Sequence, residues 1–264
     1  MPVISLLTDF GTKDGFVGTM KGVIWQICPA AQIADISHEI GAQNVREGAI
    51  ALWRAAPYFP AGTVHIAVVD PGVGTRRRAM AARLGEQYVV GPDNGLFTPM
   101  IEDTHAAGQE VRLVALENPR YFLPNVSRTF HGRDIFAPVG AHLAAGAALE
   151  DMGTSFDDPV LLPLSKPVRS ANGWTAHISV VDKFGNLTTD LPGGEIAGKA
   201  VRIFFKGRVI EGLSTSYGHR QPGDLVALVD SENYLEVAVV NGSAAQVLGG
   251  QVGDEVEVLF TEQE

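Results

Sequence analysis

The most constraining feature of this 264-residue sequence is a change of rhythm part-way along it. Over residues 3–69, short strand-like runs at 3–7, 33–36 and 64–69 alternate with helical periodicity at 16–27 and 45–56. Such βαβαβ alternation predicts a mostly parallel sheet covered by helices, with ligand-binding loops at the carboxyl ends of its strands. A hairpin is expected at 79–84 and 88–90, a short helix at 96–102, and a last clear helix at 133–145. Beyond a stretch rich in Pro, Ser and Asp at 157–172, the pattern becomes short β-type runs punctuated by glycine, at 176–181, 201–205, 225–229, 235–240 and 256–260. Closely spaced strands with little helical signal predict a small barrel or sandwich. The expected fold is therefore an α/β N-terminal domain (1–160) with a central, mostly parallel sheet, a linker (161–172), and a smaller all-β, barrel-like C-terminal domain (173–264).

Composition narrows the function classes. At 264 residues the chain has the length of one large domain or two ordinary ones, and 45% apolar composition is enough for a real core. No apolar run reaches the roughly 18–20 residues that span a bilayer, and the N-terminal stretch has no basic segment before its hydrophobic run, so a cytoplasmic protein without a membrane partner is expected. The single cysteine, Cys28, excludes an intrachain disulfide and a Cys-rich zinc site. With 20 basic against 30 acidic residues, the net charge of −10 argues against a nucleic-acid partner.

Polar signatures sit where the predicted strands end. Leu6-Leu7 runs into Thr8-Asp9-Phe10-Gly11, and Val68-Val69 into Asp70-Pro71-Gly72-Val73-Gly74-Thr75, so two strands each deliver an aspartate that can converge on one site. The glycine-rich run lacks the Lys-Ser/Thr of a Walker loop and the third spaced glycine of a dinucleotide fingerprint, leaving a tight turn or a ligand loop. Gly91-Pro92-Asp93-Asn94-Gly95 is a third polar loop. His131, in Phe130-His131-Gly132 ahead of a helix, is either a structural histidine or a side chain aimed into a cleft, and His38 is its strongest rival. Arg77, within Arg76-Arg77-Arg78, fits a solvated basic turn as well as a site residue. Together Asp70, Arg77 and His131 have the chemistry to bind and polarise one water. Asp182-Lys183-Phe184-Gly185-Asn186 reads as a turn between strands whose Asp and Asn can also face a ligand.

These segments occur in an order that resembles the S-adenosylmethionine hydroxide adenosyltransferases, relatives of the bacterial fluorinase and chlorinase. The resemblance spans nearly the whole chain: Thr8-Asp9-Phe10-Gly11 with Asp14, the Asp70 loop, the Asp93-Asn94 loop, Phe130-His131-Gly132-Arg133-Asp134, and the 182–186 turn. It implies the two-domain fold, and a homotrimer with active sites where one subunit's N-terminal domain meets its neighbour's C-terminal domain. It also implies water activation by Asp70, Arg77 and His131, where halogenating relatives carry other residues. The substrate would be S-adenosylmethionine and the products adenosine and methionine, with no metal or redox cofactor.

The resemblance further implies a ligand set. Asp9 would hold the ribose diol, since a carboxylate accepts from two adjacent hydroxyls. Asp14, Asp182 and Ser231 would meet the amino-acid end. Asn186 and the backbone near Asn241 would read adenine, Phe184 and Tyr217 would stack on it, and Asn94 completes the substrate-binding set. Two positions depart from the fluorinase pattern: Glu232 stands where an arginine grips the substrate carboxylate, and Gln43 or a neighbour replaces a tryptophan. The alternatives are a chloride-using halogenase, a non-catalytic adenosyl-ligand sensor, and a metal hydrolase built from Asp9, Asp70, Asp93 and His131.

Overall fold

A computed structural model describes residues 1–261, which fall into two compact units, Met1–Leu162 and the chain from Pro163 onward. The first unit is built on seven strands: β1 (Val3–Thr8), β2 (Gln32–Ser37), β3 (Val64–Val68), β4 (Ala79–Leu84), β5 (Gln87–Pro92), β6 (Val111–Leu116) and β7 (Gly153–Phe156). Their order is β2-β1-β3-β5-β4-β6-β7. The sheet is mixed: β2, β1, β3 and β5 run parallel, and the pairings from β5 through β4 and β6 to β7 are antiparallel. The antiparallel half follows from the two-residue turn between β4 and β5, which admits no crossover helix.

Both faces of the sheet are covered. Ile4, Leu6 and Ile66 pack against Met20 and Ile24 of α1 (Phe16–Ile27) and Val139 of α4 (Ala137–Ala144). Leu7, Ala67 and Val89 face the other way, onto Leu52 of α2 (Val45–Ala55) and Met100 of α3 (Thr98–Ala106). Period-two alternation along β1 and β3 sends neighbouring residues to opposite cores. Truncating a fully buried side chain here, such as Leu52→Ala, costs about 2–5 kcal/mol. Helix α2 starts on a reciprocal cap: Asn44 accepts the Glu47 N–H at 3.1 Å, and the Glu47 carboxylate takes the Asn44 side-chain amide at 2.9 Å. The carboxyl ends of β1, β3 and β5 share one edge, from which Asp9, Asp70 and Asp93 depart.

The predicted helix at 133–145 is two structures in series. Residues Gly132–Phe136 form a π-turn, with the Ala137 N–H reaching back to the Gly132 carbonyl, and α4 continues from it. A π-turn widens the helix by one residue and often marks a functional site.

The second unit is an antiparallel barrel that nearly closes. It comprises β8 (Val168–Ser170), β9 (Gly173–Val181), β10 (Leu187–Pro192), β11 (Val201–Phe205), β12 (Arg208–Glu211), β13 (Leu225–Val229), β14 (Tyr234–Val239) and β15 (Glu255–Phe260). The order is β12-β11-β15-β9-β10-β14-β13, with β8 added on β9. The end strands β12 and β13 approach without pairing. Ile178, Leu187, Ile203, Phe205, Val237 and Val256 fill the interior. Residues 168–170, within the stretch expected as linker, are strand. A short helix, α5 (Ala244–Leu248), lies beyond the last helix expected from sequence; Ser243 caps it by accepting the Gln246 N–H at 3.2 Å, and Gly249 ends it in the left-handed region.

Candidate active site

A cavity of about 260 Å³ opens at the carboxyl edge of β1 and β3, lined by Asp9, Phe10, Gln43, Val68, Asp70, Pro71, Val73 and the 129–132 segment with His131. Parallel strands and the turns after them deliver these side chains to one place.

Asp70 and Arg77 lie on the same loop. The guanidinium grips the carboxylate side-on: Nε stands 2.9 Å from Oδ1 and Nη2 2.5 Å from Oδ2. Their side chains are 5% and 11% exposed, so the pair is shielded from solvent. Arg77 also lies over the Phe136 ring, 5.2 Å from its centroid, which fixes the guanidinium plane. The loop closes because Gly74 adopts φ +75°, and a Cβ there would meet the Arg128 carbonyl oxygen at 2.2 Å.

His131 comes from the start of the π-turn, and its Nδ1 lies 2.9 Å from Arg77 Nη2. An arginine has no acceptor, so Nδ1 must be the acceptor and carries no proton. Burial lowers the His131 pKa, and the Arg77 charge lowers it further against the opposing pull of Asp70 and Asp134. At neutral pH the ring is therefore the neutral tautomer with its proton on Nε2. The segment before it is shaped by fully buried Asp134, which accepts the Ser127 N–H at 2.8 Å and the Arg133 Nε at 2.6 Å. Burial opposes ionisation of Asp134, but bonds from Arg133 and Ser127 hold its pKa below the ordinary carboxylate value.

Asp9 lies on the cavity wall with Oδ2 accepting the Gln43 N–H at 2.8 Å, leaving Oδ1 for a ligand. Gln43 itself takes a left-handed φ of 62° to make that contact. Asp14 is exposed on the loop before α1. Asn94 bridges elements: its amide donates to Val69 O at 2.9 Å and its oxygen accepts the Leu96 N–H at 3.2 Å, which ties the β5 loop to the end of β3. Asp93 is drawn elsewhere, accepting the Val160 N–H at 2.8 Å and facing Arg78 at 3.3 Å. Among the described residues no group of three or more His, Cys, Asp and Glu side chains is spaced to hold a metal ion.

In the second unit, Asp182 organises its own turn: Oδ1 accepts the Phe184 and Asn186 N–H groups at 2.9 and 2.8 Å, and Oδ2 the Asn186 side-chain amide at 3.1 Å. That turn leaves Phe184 76% exposed, while Asn186 is buried. Ser231 and Asn241 are exposed on turns either side of β14, Asn241 at φ 54°. Tyr217, 42% exposed, donates its hydroxyl to Glu236 Oε1 at 2.6 Å. Glu236 is a buried acid that sequence reasoning passed over; its signal was a lone charge inside the apolar run 234–240. Burial raises its pKa, and nearby Asp182 and Asp230 add to that rise.

Comparisons with known proteins identify the family of the chain. Residues 4–153 match the family model of the SAM hydroxide adenosyltransferase N-terminal domain, and residues 176–257 that of its C-terminal domain. The chain is 41% identical to a protein of Salinispora tropica named (R)-S-adenosyl-L-methionine hydrolase, over 97% of both chains. It is 38% identical to one of the same name from Thermus thermophilus, covering 98% of this chain and 100% of that one. A fluorinase of Actinoplanes is 27% identical over 90% of each. Among solved structures, an uncharacterized conserved protein from Thermotoga maritima superposes with a TM-score of 0.90 at 38% identity, covering 97% of this chain and 99% of that one.

Proposed function

The chain belongs to the SAM hydroxide adenosyltransferase family, and on that premise we propose that it hydrolyses S-adenosyl-L-methionine to adenosine and L-methionine, with water attacking ribose C5′. The observation that carries this reading is the linked Asp70, Arg77 and His131 array beside the cavity. The relatives are named for the (R) form. With the amino-acid carbon already specified as L, that letter describes the sulfonium centre, and we assign the same epimer to this enzyme.

The sulfonium departs as a neutral thioether, so the leaving group needs no general acid. The difficulty lies in the nucleophile, which must sit behind C5′ at about 3–3.5 Å and lose a proton as the bond forms. The water oxygen forms the new bond to C5′, the C5′–S bond breaks, and its electron pair stays on sulfur. His131 presents Nε2–H and so orients the water by donating to its oxygen. Asp70 takes the proton: Oδ1 receives Arg77 Nε and keeps a lone pair for the water. Arg77 holds both partners and balances the charge of the group. No step draws on a metal or redox cofactor.

Asp9 would hold the ribose diol and Asp14 the amino-acid end. Asp182, Ser231, Asn186, the Asn241 turn, Phe184 and Tyr217 would come from the C-terminal unit of a neighbouring subunit in a homotrimer. An exposed Phe184 beside a polar turn suits a surface completed by another chain. Asn94 would act from behind, through the Asp70 loop. We place the enzyme in the cytoplasm, with no nucleic-acid or membrane partner, in keeping with its acidity; among the described residues no helix is long and apolar enough to cross a membrane.

The test is turnover of each sulfonium epimer, with and without chloride. Adenosine and methionine from the (R) epimer, at a rate indifferent to chloride, is the expected result. 5′-Chloro-5′-deoxyadenosine, or tight binding without turnover, would contradict it.

A further inference from the structure

His38 takes no part in the reaction as derived, yet it is 6% exposed and touches the cavity-forming loop at two points. Its Nδ1 lies 2.9 Å from Thr8 Oγ1, and its carbonyl accepts the Gly11 N–H at 2.7 Å. Thr8 and Gly11 bracket Asp9. Thr8 Oγ1 already accepts the Phe10 N–H at 3.2 Å, so its own proton is free to go to His38 Nδ1. The imidazole is then the neutral tautomer with its proton on Nε2, which lies 3.1 Å from Asp35 Oδ1 but outside hydrogen-bond geometry. Asp35 in turn pairs with Lys21 at 2.6 Å. Thr8 Oγ1 thus donates to His38 and accepts from Phe10, so the hydrogen-bonded series runs from His38 to the backbone of Phe10, with Asp35 and Lys21 of α1 beyond it. The order of Thr, His and Asp is that of a hydrolytic triad, but Thr8 is fully buried, so it orients and does not attack.

We infer that His38 is a positioning residue for ligand binding: through Thr8 and Gly11 it fixes the turn that aims the Asp9 carboxylate at the ribose diol. The inference rests on the reading of Asp9 given above. Asp9 has one oxygen held by Gln43 and one left for the ligand, so a small rotation of the 8–11 turn would misplace the free one. Losing the brace removes alignment and leaves the Asp70–Arg77–His131 array untouched.

The experiment is calorimetric titration with adenosine, together with kcat and KM on (R)-S-adenosyl-L-methionine, for the intact protein and four variants plus a double. His38→Ala and Thr8→Val should each weaken adenosine binding and raise KM about tenfold, the scale of one buried hydrogen bond, with kcat within about threefold. The double variant should be no worse than either single one, because both cut the same series. His38→Asn, whose side-chain oxygen falls near the Nδ1 position and can accept from Thr8, should recover most of the affinity. Additive effects, a fall in kcat with affinity intact, or His38→Asn as weak as His38→Ala would overturn the inference. Should His38→Ala fail to fold, Thr8→Val alone decides: unchanged adenosine affinity overturns it. Asp9→Ala separates the two claims. Intact adenosine binding in Asp9→Ala defeats the ribose reading and the inference with it; a loss there alongside normal binding in Thr8→Val and His38→Ala defeats only the inference.

Discussion

Asp70 and Arg77 in the N-terminal unit are 5% and 11% exposed and bound to one another, whereas Phe184 and Tyr217 in the C-terminal unit stand 76% and 42% exposed on turns. The first arrangement is rigid before any ligand arrives: a side-on ion pair, a neutral histidine and a glycine-locked loop. The second holds the backbone of its turns firmly, through Asp182 and Ser243, and leaves the rings uncovered. A charge that must act on water gains from being fixed and dry, while a ring that must stack gains nothing until a second surface meets it. On the proposed function the chain divides labour, with chemistry assigned to the α/β unit and ligand reading shared with the barrel.

The division breaks most visibly at Asp70. Asp70→Asn keeps the shape but removes the proton acceptor, so kcat should fall about 10³-fold while ligand affinity changes by less than about threefold. Equal losses in both would place Asp70 in binding instead. Stopped turnover assays with parallel calorimetry read the two quantities apart.

Acid titration should separate the units by sign. Burial lowers His65, fully buried on β3 beside Ser5 of β1, to about pKa 4. A depressed histidine favours the folded state above its ordinary pKa of about 6.5 and loses that advantage as pH falls toward 4, on the order of 3 kcal/mol in all. Burial raises Glu236, so its folded form binds a proton more readily; stability from this group is present below about pH 4.5 and declines as pH rises. Chemical denaturation from pH 7 to 4, followed by Trp25 and Trp53 in one unit and Trp174 in the other, should show the N-terminal unit weakening. His65→Asn should flatten the N-terminal slope, and Glu236→Gln that of the barrel. Identical slopes in both variants and the unaltered protein would contradict these assignments.

Gly74→Ala tests the locked loop without touching a charge. A left-handed alanine whose Cβ meets Arg128 O should cost about 1–3 kcal/mol in folding stability and lower kcat, since it pushes apart the loops that carry Arg77 and His131. A variant with normal stability and normal kcat would show the loop to be soft. The smallest effect is expected in the barrel: Phe184→Ala should raise KM about tenfold with kcat and melting temperature unchanged, as one lost stacking contact would. A large fall in kcat there would erase the division.

Much of this was legible in the sequence because local pattern and tertiary demand agree. The periods at 16–27 and 45–56 became α1 and α2, and the runs at 64–69 and 201–205 became β3 and β11. Antiparallel β6 and β7 and the barrel strand β12 escape the sequence reading, and β10 enters it only as the strand after the 182–186 turn, since short runs such as Leu187–Pro192 and Arg208–Glu211 carry polar residues whose strand identity comes from neighbours. The π-turn was hidden because its composition is that of an ordinary helix start. At the site, motif order brought Asp70, Arg77 and His131 forward together, but their mutual geometry, and hence the tautomer of His131, depends on atoms 54 residues apart in sequence meeting at 2.9 Å. Asn94 and Asp182 were read as ligand contacts, and the fold gives each a bracing task first. Glu236 escaped notice because a buried acid looks like a solvent-facing one until the barrel closes round it.

The most direct test of the central claim is incubation of the purified protein with the (R) sulfonium epimer of S-adenosyl-L-methionine in ¹⁸O-water without halide, followed by mass spectrometry of the products. Adenosine carrying ¹⁸O at C5′, together with unlabelled methionine, is the expected result, since water then supplies the oxygen at that carbon. Unchanged ligand, or adenosine without the label, would contradict attack by an activated water in this site.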